Sequence, residues 1–423
     1  MRKFIGLAVV VALNTVGGIW SAHAADNIKV GVFSTLEGTY TALGEDGMRG
    51  FDLAVMQHHN KAGGKDLEII RGSSDASPDS ALRAAKKLVE QDRVDLLIAP
   101  LSGSEGIALH DYAKSQPQVT FINGCSGALE TTYVNPAPNF FRFNIDGAQM
   151  HMGLGDYIYN VKQYKKIATV GEDYSFIYTQ VFGLALDYCP RGGQITKRIW
   201  VPLGTKDFAS TISSLPDDVD AIYLGLGGAD AINFLNQYQQ AGGNAKLIGG
   251  SIMVDQSILS SKGKAKEALV GVNAAGPFAD TWDDPKWQAF VQAYQHAPNE
   301  GYFKNRFSGP SLCAVNYYDE TQATLQALDE VNGDLGDGKK KFRAALASLV
   351  LDAPNGKMTL DENHQAIGAS FVTEVVKDKN GDLVNKVVKV VPNVDQRLGF
   401  SKAAFDRIGL PGREVPVCKK TYE

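Results

Sequence analysis

The chain has only four cysteines, Cys125, Cys189, Cys313 and Cys418, and no two of them form a CxxC pair. Zinc-finger and thioredoxin-like sites need that spacing, so neither is expected, nor is any metal or cofactor. Beyond residue 24 no stretch holds 18 consecutive apolar residues, so no later helix is expected to span a bilayer. Basic residues are not in excess: 42 Lys and Arg stand against 47 Asp and Glu. Nucleic-acid binding calls for a basic face and is disfavoured. HExxH and G-x-S-x-G are missing, which removes two common signatures of hydrolases.

What is present begins at the N-terminus. Met1-Arg2-Lys3 is a short basic start, Phe4 to Leu13 is an apolar run too short to cross a membrane, and Ala22-His23-Ala24 places small residues two apart. In that order they form a secretory signal peptide over residues 1–24, with the mature chain starting near Ala25. No Cys follows the apolar run, so no lipid anchor is expected and the mature chain is expected free outside the inner membrane. About 400 residues remain, enough for two domains with substantial cores. They carry 40 basic and 47 acidic residues, a net charge of −7. In an oxidising compartment the four cysteines allow three full pairings, and sequence alone does not choose among them.

Strands and helices alternate along the chain. Ile28 to Phe33, Leu67 to Arg71, Val94 to Ala99, Val119 to Asn123, Ile167 to Gly171 and Ala221 to Gly225 read as short apolar strands. Gly47 to Asn60, Ser77 to about Gln91, Ile107 to Gln116 and Phe176 to Tyr188 read as helices. This alternation predicts an α/β protein built from parallel sheets flanked by helices, in two blocks. Ligands of such sheets sit beyond the carboxyl ends of the strands.

The order and spacing of several motifs carry a family resemblance: Ile28-Lys29-Val30-Gly31-Val32; Leu36-Glu37-Gly38-Thr39 and Gly44; Asn60 to Gly64; Ala99-Pro100-Leu101-Ser102-Gly103-Ser104; Gly204 to Phe208; Ala241-Gly242-Gly243; and Tyr317-Tyr318-Asp319. With them the chain resembles the type I periplasmic solute-binding proteins of ABC importers, typified by the leucine/isoleucine/valine-binding protein. The resemblance covers nearly all of the mature chain. It implies two lobes joined by three hinge crossings. Lobe one would hold 26–144 and 274–353, lobe two 145–273 and 354–423. Ligand would bind in the cleft, and the lobes would close over it. The implied partners are a small-molecule carboxylate and an ABC permease and ATPase complex in the inner membrane, with the protein a monomer. Presentation of the ligand to a membrane sensor is the other duty open to this fold.

The resemblance also implies a binding set. In lobe one, Ser102, Gly103 and Ser104 and then Gly124, Cys125 and Ser126 match the positions whose hydroxyls and N–H groups hold a ligand carboxylate. A capping serine and an anion site use the same donors. Leu36 follows the first strand at the same level. In lobe two, Tyr174 and Phe176 offer aromatic walls, with Phe176 at the position of the covering ring. Gly227 falls where a Tyr is common, and so is expected to widen the pocket. Ser251 and Met253 follow the strand near Gly249. Amino-acid binders usually place a Glu at the position of Ser251, to pair with the ammonium; Asp255 and Asp146 are the other acids considered. The expected ligand is therefore an aromatic or 2-oxo acid without an amino group, and a hydrophobic or branched-chain amino acid is the alternative. Cys189 and Cys418 both fall in lobe two, which favours a bridge between them.

Other signals are set aside. Gly225-Leu226-Gly227-Gly228 reads as a strand-to-helix turn, His58-His59 as surface residues, and Lys339-Lys340-Lys341 as a solvated helix start. Cys125 is the one tempting nucleophile, and no His has an evident route to it, so no enzymatic activity is expected.

Overall fold

The computed structural model describes residues 27–263 and 265–422; the signal-peptide reading of 1–24 lies outside them. Two sheets organise the chain. The first has six strands in the order Lys61–Ala62, Lys65–Ser74, Ile28–Thr35, Leu96–Ile98, Thr120–Ile122 and Phe140–Phe141. All of its pairings are parallel except that of the short Lys61–Ala62 edge. The second has nine strands. Its parallel half runs Gln194–Val201, Lys166–Glu172, Ala221–Gly225, Leu247–Gly249 and Asn273–Gly276. Its antiparallel half adds Ala366–Lys377, which pairs with both Gly356–Leu360 and Leu383–Val394, and Leu351–Ala353 at the edge.

The chain passes between the sheets three times: after Phe140–Phe141, after Asn273–Gly276 and before Leu351–Ala353. Asn273–Gly276 and Leu351–Ala353 both pair within the second sheet. The expected 274–353 segment of lobe one is therefore too long at each end. Between those strands the chain returns to the first sheet, where the helix Leu312–Glu330 packs along Thr41–Gln57. A Cβ at Gly50 would sit 1.9 Å from the Ala314 carbonyl oxygen, so the two helices approach this closely only because residue 50 has no side chain.

The first helix starts at Thr41, six residues before the expected Gly47, after a 3-10 turn at Gly38–Tyr40. Its first turns bury a polar residue: Asp46 is fully buried, paired with Arg49 at 2.7 Å and accepting the Ser311 N–H at 2.8 Å. A buried Asp breaks the apolar period, which is why the pattern begins too late. Lys339 is not solvated as expected. It is 8% exposed, lies before the helix Lys340–Ser348 and pairs with Asp95 at 3.6 Å.

All four cysteines are bonded, Cys189 to Cys418 and Cys125 to Cys313. The first bond ties the C-terminal tail to the end of the helix Ser175–Tyr188. The second joins the loop after Thr120–Ile122 to the start of Leu312–Glu330.

Candidate functional site

Two helices begin at the facing ends of the sheets, and their N-termini meet. Gly103–Lys114 follows Leu96–Ile98, and Ser175–Tyr188 follows Lys166–Glu172. The Ser104 and Ser175 hydroxyls are 3.2 Å apart. A Cβ at Gly103 would lie 2.9 Å from both the Phe176 nitrogen and Ser175 Oγ, so only glycine lets the helix ends touch. Each helix end carries unpaired N–H groups and a partial positive charge. Bringing two such ends together is costly alone and favours an anion at the junction.

The donors differ from those expected. Ser102 caps its helix: its hydroxyl accepts the Glu105 N–H at 3.3 Å and donates to the Ala76 carbonyl at 2.9 Å. The Ser102 N–H in turn donates to Glu105 at 2.7 Å. Ser102 lines the cleft, but its polar groups are committed. Glu105 is fully buried, and burial raises its carboxyl. The box leaves the N–H groups of Gly103 and Ser104 unused, and no side chain caps Ser175–Tyr188.

The backbone donors of the second expected group are spent elsewhere, and the Ser126 hydroxyl, though buried, has no hydrogen-bond partner among the described residues. The N–H groups of Cys125 and Ser126 both go to the Pro100 carbonyl, at 2.8 and 3.3 Å. Ser126 Oγ is buried against the helix at Gly106, where a Cβ would stand 1.9 Å from it. Gly124 packs against the Tyr317 ring and Pro100. Cys125 does line the cleft, as half of the Cys125–Cys313 bridge, so it offers no thiol.

Between the sheets Tyr40, Leu101, the Cys125–Cys313 bridge, Tyr174, Phe176, Ile252 and Leu312 enclose a cavity of about 10 Å³. That is room for roughly one water. The cleft is therefore shut, and a ring-sized ligand enters only if the two halves part.

One contact that holds it shut was missed from the sequence. Tyr40, in the turn after the first strand, donates its hydroxyl to Glu172 at the end of Lys166–Glu172. Tyr40 Oη is also 3.0 Å from Tyr174 Oη. The other Glu172 oxygen accepts the Gly227 N–H at 3.0 Å. Glu172 is fully buried, and burial pushes its carboxyl up to about 8. Gly227 does not widen a ligand pocket as expected. A Cβ there would lie 3.0 Å from the Tyr40 ring, and one at Gly228 would lie 2.3 Å from the Thr39 carbonyl oxygen. The glycines admit Tyr40, and the ring that uses their space is the protein's own.

The remaining named residues fall away from this cavity. Leu36 is half-buried, and its N–H donates to the Ser74 carbonyl. Met253 is fully buried in the core of the second sheet. Ser251 accepts a hydrogen bond from Gln180 and lines a second cavity, of about 20 Å³, with Asp255, Thr373 and Asn385. Asp146 caps the short helix Gly147–Met150 and accepts from Gln396, so it is not placed to meet a ligand. Asp255 accepts the Ser257 N–H at 2.8 Å and, across the cleft, the Leu312 N–H at 2.6 Å. Its carboxylate is engaged in closure; burial raises it to about 6.

Sequence and structure comparisons agree with this architecture. A leucine/isoleucine/valine-binding protein homolog of Brucella melitensis is 23% identical over 376 residues, which is 87% of this chain and 93% of the relative. An ABC transporter substrate-binding protein of Sphaerobacter thermophilus superposes with a TM-score of 0.77 at 26% identity, covering 88% of this chain and 99% of that one. A solute-binding protein of Rhodopseudomonas palustris BisB5, solved in complex with 3,4-dihydroxybenzoic acid, superposes at 0.78 with 25% identity over 88% of this chain and 99% of that one. Residues 27–381 match the periplasmic binding protein family profile, and the chain belongs to that family of ABC-transporter solute-binding proteins, in its leucine/isoleucine/valine-binding branch.

Proposed function

We infer that this chain is the periplasmic solute-binding component of an ABC importer and that its ligand is a small apolar or aromatic carboxylate. The observation that carries this reading is the meeting of two helix N-termini at Ser104 and Ser175, where a carboxylate would take the N–H groups and hydroxyls of both. One helix comes from each side of the cleft, so binding the anion favours closure by the difference in affinity between the shut and open forms. Tyr174 and Phe176, with ring centroids 6.4 Å apart, supply apolar faces beside that point. The bound 3,4-dihydroxybenzoic acid of the Rhodopseudomonas relative supports the same ligand class. The permease and ATPase are the partners this role requires.

A hydrophobic amino acid is the second reading, supported by the Brucella relative and by Glu172, an acid at the cleft that the sequence reading missed. It is the weaker one. Glu172 lies behind Tyr40 and is held mostly uncharged near neutral pH, so it offers an ammonium a poor partner. A thermal-shift screen over aromatic acids, 2-oxo acids and amino acids separates the two. A ligand at a thousandfold excess over Kd adds about 4 kcal/mol. Stabilisation by the acids supports the first reading, and stabilisation by leucine or valine alone rejects it.

A further inference from the structure

Glu172, Tyr40 and Tyr174 form one hydrogen-bonded chain that runs from the interior to the cleft. Glu172 and Tyr40 are buried, at 0% and 1% exposure. Tyr174 is only partly buried and lines the cavity with Phe176. The capacities along the chain can be counted. With Glu172 ionised, Tyr174 donates to Tyr40 and Tyr40 donates to Glu172, which leaves the Tyr174 oxygen as a free acceptor. With Glu172 protonated, the chain runs the other way: Glu172 donates to Tyr40, Tyr40 to Tyr174, and the Tyr174 proton is left over. In both states the unspent capacity sits on the Tyr174 hydroxyl.

The chain crosses the cleft. Tyr40 belongs to the turn after the first strand, whereas Glu172 ends the strand Lys166–Glu172 and Tyr174 immediately precedes the helix Ser175–Tyr188. It is therefore complete only when the two sides are together. The chain also lies on from the anion junction. Gly103 meets the Phe176 backbone nitrogen, the Phe176 ring neighbours that of Tyr174, and the Tyr174 ring neighbours that of Tyr40 at a centroid distance of 6.2 Å. Tyr174 and Phe176 both line the cavity, so the ring of a ligand whose carboxylate sat at Ser104 and Ser175 would lie against them.

We propose that the Glu172–Tyr40–Tyr174 chain reads a hydroxyl on the ligand ring, so that the preferred ligands are hydroxylated aromatic acids. Tyr174 makes the contact, and Tyr40 and Glu172 position its hydroxyl. The proposal rests on the carboxylate reading above. A ring hydroxyl both donates and accepts, so it satisfies Tyr174 in either state of the chain. A bare ring would bury that hydroxyl unpaired, which is the source of selectivity.

Calorimetry with benzoate, 3-hydroxybenzoate and 4-hydroxybenzoate tests this on the full mature protein. At least one hydroxylated acid is expected to bind about tenfold tighter than benzoate, the effect of one hydrogen bond. Tyr174→Phe should abolish that ratio while leaving benzoate affinity within about threefold. Glu172→Ala, which removes the group that orients Tyr40, should reduce the ratio, and Glu172→Gln, which keeps a donor to Tyr40, should restore it; loss of the ratio in both variants, or in neither, denies Glu172 the positioning role. Equal affinity for all three acids overturns the proposal and leaves the carboxylate reading standing, as does a preference that survives Tyr174→Phe. Binding of none of them, with leucine bound, removes both.

Discussion

Ser102 and Ser104 stand two residues apart and do different work. Ser102 spends its hydroxyl and N–H in a capping box, whereas Ser104 faces Ser175 across the cleft. Ser102→Ala should therefore lower stability by about 0.5–2 kcal/mol, the usual worth of a cap, with little change in affinity. Ser104→Ala and Ser175→Ala should each weaken carboxylate binding by about 1.5–3 kcal/mol, with little change in melting temperature. Paired melts and titrations check both; the opposite assignment would return Ser102 to the site. Glu172 makes a prediction of its own. Its carboxyl is raised from 4.5 to about 8, so between those values the folded protein holds a proton that the unfolded chain has lost. Stability then falls as pH rises through that range. Buried His110 and His151, both lowered to about 4, act against it below their ordinary 6.5. Above that, Glu130, raised to about 7, and Asp319 and Glu320, also raised by burial, act in the same direction as Glu172, so its own share is the part of the drop that a substitution removes. Melting temperature should drop as pH rises above 6.5, and Glu172→Gln should lessen the drop. Neither Tyr40 nor Glu172 was legible in the sequence: Tyr40 falls in the stretch between the first strand and the first helix, and Glu172 falls one residue past the expected strand Ile167 to Gly171. Their roles arise from a contact 132 residues apart.

At the scale of elements the sequence was a better guide. Short apolar runs bounded by turn residues mark the parallel strands; Ala221–Gly225 has the expected ends, and Ser77 caps the helix Pro78–Lys86. Buried strands and capped helices write their own local signals. Close approach of elements does not. Gly103, Gly227 and Gly228 are small because another backbone or ring touches them, and sequence reading took Gly227 for empty space. The disulfides belong to this scale too. The Cys189–Cys418 bridge spans 229 residues, and with Arg413 paired to Asp173 it holds the tail against the second sheet's helices. Replacing both cysteines by Ser should cost about 2–5 kcal/mol and raise hydrogen exchange in residues 409–422. Unchanged exchange there would mean that the tail is held without the bridge.

For the whole molecule, the shut cleft is the central fact. A cavity of about 10 Å³ cannot hold a ring, so capture requires the halves to part and return. Asp255 is a closing contact, because it accepts the Leu312 N–H from the opposite side. Asp255→Ala should shift the unliganded protein toward the open form, seen as a larger radius of gyration by X-ray scattering, and should weaken binding. An unchanged radius would place the hinge balance elsewhere. Ligand choice turns on whether the two helix ends hold a carboxylate without an accompanying ammonium. Calorimetry of the mature protein against leucine, phenylalanine, phenylpyruvate and 4-hydroxybenzoate tests it most directly. Micromolar or tighter binding of the acids, and much weaker binding of leucine and phenylalanine, is the predicted result; tight binding of the amino acids with none of the acids would contradict it.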